Sequence, residues 1–138
     1  MKTKYYLESA DVKAIMTASE AEAHKNNWAV SIAIVDDGGH LLNFLRLDGA
    51  APFSAHMAPA KANTAALGRK ETKIYEDVIN NGRFSFITAP DVNGLLEGGV
   101  PILKDGQVIG AVGVSGVKST EDVQIAKAGI EAFYRLHP

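Results

Sequence analysis

The chain has 138 residues, 46% hydrophobic and 22% charged, with a net charge of −2, the balance of one soluble domain with a real core. That charge leaves no basic footprint for nucleic acid or anionic lipid. Cysteine is absent, which excludes disulfides, thiol nucleophiles and thiolate metal sites.

The opening MKTKYYLESADVK has no apolar run of signal-peptide length, and no window approaches a membrane span. The chain is therefore expected to be one domain, residues 1–138, of a cytoplasmic protein with no nucleic-acid or membrane partner. From about Ser9 to Asn26 the spacing predicts a helix, with Val12, Ile15, Met16, Ser19 and Ala23 on one face. AVSIAIVD (Ala29–Asp36) and HLLNFLRL (His40–Leu47) read as paired strands. Asp36-Asp37-Gly38-Gly39 between them is a hairpin signal, because these residues accept positive φ cheaply. DGAAPFSAHM reads as a loop and PAKANTAALG as a helix, with Pro59 in its first turn and Gly68 at its C-cap. The alternative is a helix that begins near Ser54 and kinks at Pro59.

A shorter helix is expected over ETKIYEDVINN, stopped by Gly82, and RFSFITAP reads as a strand or an extended loop ended by Pro90. VPILKDGQVIGAVGVSG is a second hairpin that turns at Lys104-Asp105-Gly106-Gln107. STEDVQIAKAGIEAFYRL closes the chain as a helix, with hydroxyls and two acids at its positive end. Helix, hairpin, two helices, hairpin and helix predict an α+β fold. It is a sandwich of the profilin/PAS-like kind, an antiparallel sheet of about five strands with helices packed on it.

The glycines of EGGVPILKDGQVIGAVGVSG need a reason, because glycine weakens a strand interior. Alternation puts Ile109, Ala111, Gly113 and Ser115 on one face, and that face is small. Something comes close to the backbone there: a helix, a neighbouring subunit or a flat ligand. Gly98-Gly99 is either a tight turn or a nest of free N–H groups for a carboxylate or phosphate.

IAIVDDGGHLLNFLRLDGA, KANTA, EGGVPI with DGQVIGAVGVSG, and the closing AKAG occur in this order between about Ala10 and Ala132. In these blocks the chain resembles the GlcG/HbpS-like haem-binding (haem-degrading, DUF336) family. It is also similar to the C-terminal part of PduO-type cobalamin adenosyltransferases. The resemblance implies a profilin-like sandwich assembling into homo-oligomers, from dimers to octameric rings. It implies a small-molecule ligand, with haem or a corrinoid as the associated cofactor. It also places the Gly98-Gly99-Val100-Pro101 and Gly113-Val114-Ser115-Gly116 blocks, hence Pro101 and Ser115, at subunit contacts and around a pocket.

Four histidines are present, at 24, 40, 56 and 137, without the spacing of a helical zinc site. His56 beside Met57 is the candidate axial pair for haem iron, or else a surface or capping histidine. Arg46 and Lys61 are expected to clamp carboxylates, either haem propionates or a catabolic acid, or to form ion pairs with Asp36, Asp48 or Glu97. Glu97, if partly buried beside a pocket, would serve as a general base. Ser115 lacks the nucleophile-elbow motif. The leading expectation is an oligomeric module that binds haem, a related tetrapyrrole or a small carboxylated metabolite. The alternative is a catabolic enzyme acting on a small unsaturated or imine-bearing acid, with Arg46 and Lys61 orienting it and Glu97 or His56 moving protons. On either reading Arg46, Lys61 and the Gly98-Gly99 amides should converge on an anion.

Overall fold

Helix α1 (Ser9–Lys25), strands β1 (Ser31–Asp36) and β2 (Leu41–Arg46), helices α2 (Pro52–Gly68) and α3 (Thr72–Asn80), strands β3 (Gly99–Lys104) and β4 (Gln107–Ser115) and helix α4 (Ser119–Leu136) follow in that order. They are seen in a computed structural model that describes residues 1–138. The sheet is antiparallel, ordered β2-β1-β4-β3. It has four strands, not about five. Residues Phe84–Thr88 form a short 3-10 turn instead of a strand. Phe86 is drawn onto Tyr75, ring centroids 5.1 Å apart, and Pro90 ends the segment before a ladder can start.

The two faces of the sheet are built differently. Ile32, Ile34, Val100, Ile102, Val112 and Val114 pack with Val12, Ile15 and Met16 of α1 and Ile125, Ile130 and Phe133 of α4. On the other face Ala33, Val35 and Ala111 meet Ala58, Ala62, Ala65 and Ala66 of α2. An alanine surface lets a helix axis approach closely, and Gly113 brings it closer still. A Cβ at Gly113 would overlap Ala58 O and Ala62 N and lie 2.9 Å from Ala62 Cβ. At Ala111 and Gly113 the small face is therefore covered by α2 of the same chain, whereas Ile109, expected beside them, packs on the α1 and α4 side because the β3–β4 register shifts there.

Helix α2 begins at Pro52 and carries Pro59 inside it, so its start matches the earlier of the two expected boundaries. Ser54 O–H donates to Ala51 O at 2.6 Å. Gly68 is the last helical residue, and Arg69 adopts the left-handed conformation (φ 59°) expected of the glycine.

The β3 edge of the sheet has its outward N–H groups occupied. Alternate residues point their backbone groups away from β4. Gly99 N–H donates to Thr72 Oγ1 at 2.9 Å and Leu103 N–H to Tyr134 Oη at 3.3 Å. Between them Pro101 has no N–H to offer. The β2 edge is interrupted by a register shift opposite Ile34 and Val35. No helix is long and apolar enough to cross a membrane.

Candidate functional site

Lys61, expected to clamp a carboxylate, is buried. Its side chain is 4% exposed, and Nζ donates to Val114 O at 3.0 Å and to Asp122 Oδ2 at 3.2 Å. The partner is none of the three acids named from the sequence. It is Asp122 in the first turn of α4, whose other oxygen accepts Val117 N–H at 3.2 Å. Burial pushes the Asp122 carboxyl up to about 6, against the pull of Lys61 and of Val117 N–H. The pair fastens α2, on one face of the sheet, to the end of β4 and the start of α4.

The double glycine serves this pair. Gly98 has φ +138°, and a Cβ there would stand 2.7 Å from both Lys61 Nζ and Val114 O. A Cβ at Gly99 would overlap Lys61 O. The Gly99 amide is already bonded to Thr72, and Gly98 O accepts Val114 N–H at 3.0 Å. No open anion nest remains, which corrects the expectation.

Arg46 is exposed, and its Nε and Nη2 donate to Ala50 O at 3.1 and 2.8 Å. It braces the turn into α2 and pairs with no acid. Its strand position is level with Ser31 and Ser115 across the sheet, where the Ser31 and Ser54 hydroxyls are 2.8 Å apart. Arg46 and Lys61 thus do not converge, because the backbone carbonyl of Ala50 holds one and Asp122 the other. Pro101 is half-buried in the β3 edge strand. Ser115 is buried, at the end of β4. Glu97 is half-buried before β3, and no hydrogen bond or ion pair joins it to His56. The acid-processing alternative loses its clamp by this geometry.

His56 lies on the outer side of α2, exposed. Three of the four histidines have a carboxylate oxygen within reach: His24–Glu20 at 3.6 Å, His40–Asp36 at 3.0 Å and His137–Asp11 at 2.7 Å. The His56 ring has no partner. Successive helical residues point about 100° apart, so His56 and Met57 cannot take opposite faces of one planar macrocycle. The expected axial pair is corrected to a single candidate ligand, His56.

Met57 instead lines a cleft of about 350 Å³ with Glu76, Ile79 and Asn80 of α3, Ile87 of the 3-10 turn, and Gly94, Leu95 and Leu96. This is small-ligand size. The loop that closes it is tied to α2 by Asn63 Nδ2, which donates to Asp91 O at 3.0 Å, and by the Thr64 hydroxyl, which donates to Asn93 O. Phe53 at 67%, Phe84 at 66% and Ile87 at 61% exposure extend the apolar surface beside it. The lone charged lining residue is Glu76, so the cleft favours apolar matter over an anion. Sequence reasoning missed this cleft. The available signal was the density of apolar residues, Ile79, Phe84, Ile87, Leu95 and Leu96, around a segment that Pro90 cuts too short for a full strand.

Residues 7–131 match the model of a family described as haem degrading protein HbpS-like. Protein GlcG of Escherichia coli (strain K12) is 58% identical over 115 residues, 83% of this chain and 85% of that one. Klebsiella pneumoniae protein ORFY has a structure similar at a TM-score of 0.89 and 27% identity, covering 96% of this chain and 94% of the other. A structure described as a PduOC:heme complex is similar at a TM-score of 0.84 and 28% identity, covering 93% of this chain and 95% of that one.

Proposed function

The chain belongs to the HbpS-like family, and from that premise we propose that it is an oligomeric protein that binds haem or a related tetrapyrrole. His56 is the iron ligand in this reading. The supporting observation is that its imidazole alone among the four is held by no carboxylate, while exposed on an apolar helix face. A neutral imidazole nitrogen is a good donor to haem iron. Phe53 and Met57, one turn back and one residue on, would offer apolar contact to the ring, and the neighbouring cleft is lined by further apolar side chains. Glu76, the acid in that lining, would disfavour a propionate there.

Haem titration of the wild type should give a saturable, shifted Soret band at one haem per chain or per symmetric pair. His56→Ala should weaken binding at least tenfold, about 1.4 kcal/mol, and His56 is exposed enough for the variant to fold. An unchanged spectrum in His56→Ala would remove this ligand assignment, and no saturable binding would remove the haem reading.

Self-association belongs to the same reading. The apolar surface around Phe53, Phe84, Ile87 and Leu96 is of the kind that marks a contact site. Sedimentation at micromolar concentration should show a species larger than the 14.7 kDa chain. A single 14.7 kDa boundary would count against assembly.

A further inference from the structure

A second cleft, of about 340 Å³, opens on the opposite layer of the molecule, where the start of α1 meets β2. It is lined by Leu7, Ser9, Val12, Lys13, Leu42 and Asn43. Its floor is apolar: Leu7 and Val12 are 7% and 5% exposed, and Leu42 adds a half-open wall. Its polar groups are a hydroxyl, a carboxamide and an ammonium, none engaged in a hydrogen bond or ion pair within the chain. Lys13 is unopposed on its own helix, because positions 9, 10, 16 and 17, one turn away, carry no acid. The two acids of that region, Glu8 and Asp11, line a different cleft, where Asp11 holds His137.

The strand contributes in an unusual way. Successive side chains of a regular strand point to opposite faces, yet Leu42 and Asn43 line the same cleft. The register between β1 and β2 changes there, from Ile34 opposite Asn43 to Val35 opposite Leu41, so that Leu42 is the extra residue of a bulge. A bulge gives up ladder regularity and re-aims a side chain. Here it adds a leucine to the apolar floor beside an amide that already faces α1.

We propose that this cleft is a binding site for an amphiphilic carboxylate, an apolar chain or ring ending in an acid. The apolar part rests on Leu7, Val12 and Leu42. Lys13 and the Asn43 carboxamide hold the acid group, with the Ser9 hydroxyl and the positive end of α1 beside them. Its chemistry differs from that of the α2–α3 cleft, whose charged lining residue is an acid. Anion recognition, expected from the sequence at Arg46 and Lys61, is thereby relocated to Lys13.

The test is a titration of isotope-labelled protein with octanoate, followed by amide chemical shifts, with inorganic phosphate as the control. Octanoate should shift the amides of Val12, Lys13, Leu42 and Asn43 saturably and leave those around His56 and Leu95 in place. Lys13→Gln should weaken it about tenfold, the loss of one charge-assisted contact, and Leu42→Ala a few-fold. Both residues are exposed, so both variants keep the fold, checked by their unchanged spectra elsewhere. Absence of saturable shifts at those four amides, or equal affinity in Lys13→Gln, overturns the site. Phosphate reproducing the shifts with the affinity of octanoate overturns the apolar half. None of these outcomes depends on whether haem binds at His56.

Discussion

Near neutral pH, Lys61→Met is expected to lower the unfolding free energy by about 3–5 kcal/mol, the cost of leaving a buried charge without its partner. For a chain of this length that moves the melting temperature down by roughly 6–20 °C. Methionine keeps the unbranched stem that runs past Gly98, so packing changes little and the charge is what is removed. Asp122 is then left buried with Val117 N–H as its remaining partner. Burial already raises its carboxyl from 3.8 to about 6 while Lys61 pulls the other way, and without the ammonium it rises further. Between those two values the folded protein holds a proton that the unfolded chain has released. The contribution of Asp122 to stability is therefore complete below about pH 4 and is lost as pH rises through the folded value. A higher folded value enlarges that loss at neutral pH. The gap between wild type and variant should narrow as pH falls from about 8 to about 5. Urea melts at the two pH values measure it. A gap that does not change with pH would mean that Asp122 does not feel Lys61. Replacing both residues, as Lys61→Met with Asp122→Leu, should recover most of the loss.

Gly113→Ala should be nearly as damaging, at about 3 kcal/mol or more. The new Cβ would overlap two backbone atoms of α2, Ala58 O and Ala62 N, and would meet Ala62 Cβ at 2.9 Å. Backbone cannot rotate out of the way as a side chain can, so α2 must lift from the sheet along its alanine face. Gly106→Ala is the control. It has φ +76° and nothing within 4 Å, so its cost is the left-handed backbone alone, roughly 1–2 kcal/mol. Thermal melts of the two variants should separate clearly. Equal melting temperatures would show that α2 does not press on β4. Because the contact is internal, the Gly113 variant should lose stability whatever its state of association.

What could be read from the sequence is what is decided locally. The buried face of α1, Val12 through Ala23, lies as its spacing predicts. Both hairpins turn where their glycines stand: Asp105 and Gly106 both take positive φ in the second, and Gly39 alone does so in the first. The glycines of β4 announced a close approach, and the alanines of α2 supply it. The site was less legible. Lys61 and Asp122 are 61 positions apart, and nothing local distinguishes an acid that caps α4 from one that meets a lysine arriving from across the sheet. The α2–α3 cleft depends on residues 84–96, whose path is set by Tyr75, Asn63 and Thr64 on other elements. The bulge at Leu42 is equally non-local, since HLLNFLRL reads as unbroken strand until β1 is laid beside it.

The β3 edge, its outward N–H groups occupied, has a consequence for how copies of this protein can meet. A fibre grows by strand addition only if each molecule offers two competent edges, so that every newcomer presents a fresh template. Thr72, Pro101 and Tyr134 withdraw one of them. Pairing through the other edge, β2, would join one molecule to one molecule across a two-fold axis and leave nothing exposed to continue it. Any larger assembly must therefore be built through helices and loops, and the sheet itself is a chain terminator for polymerisation.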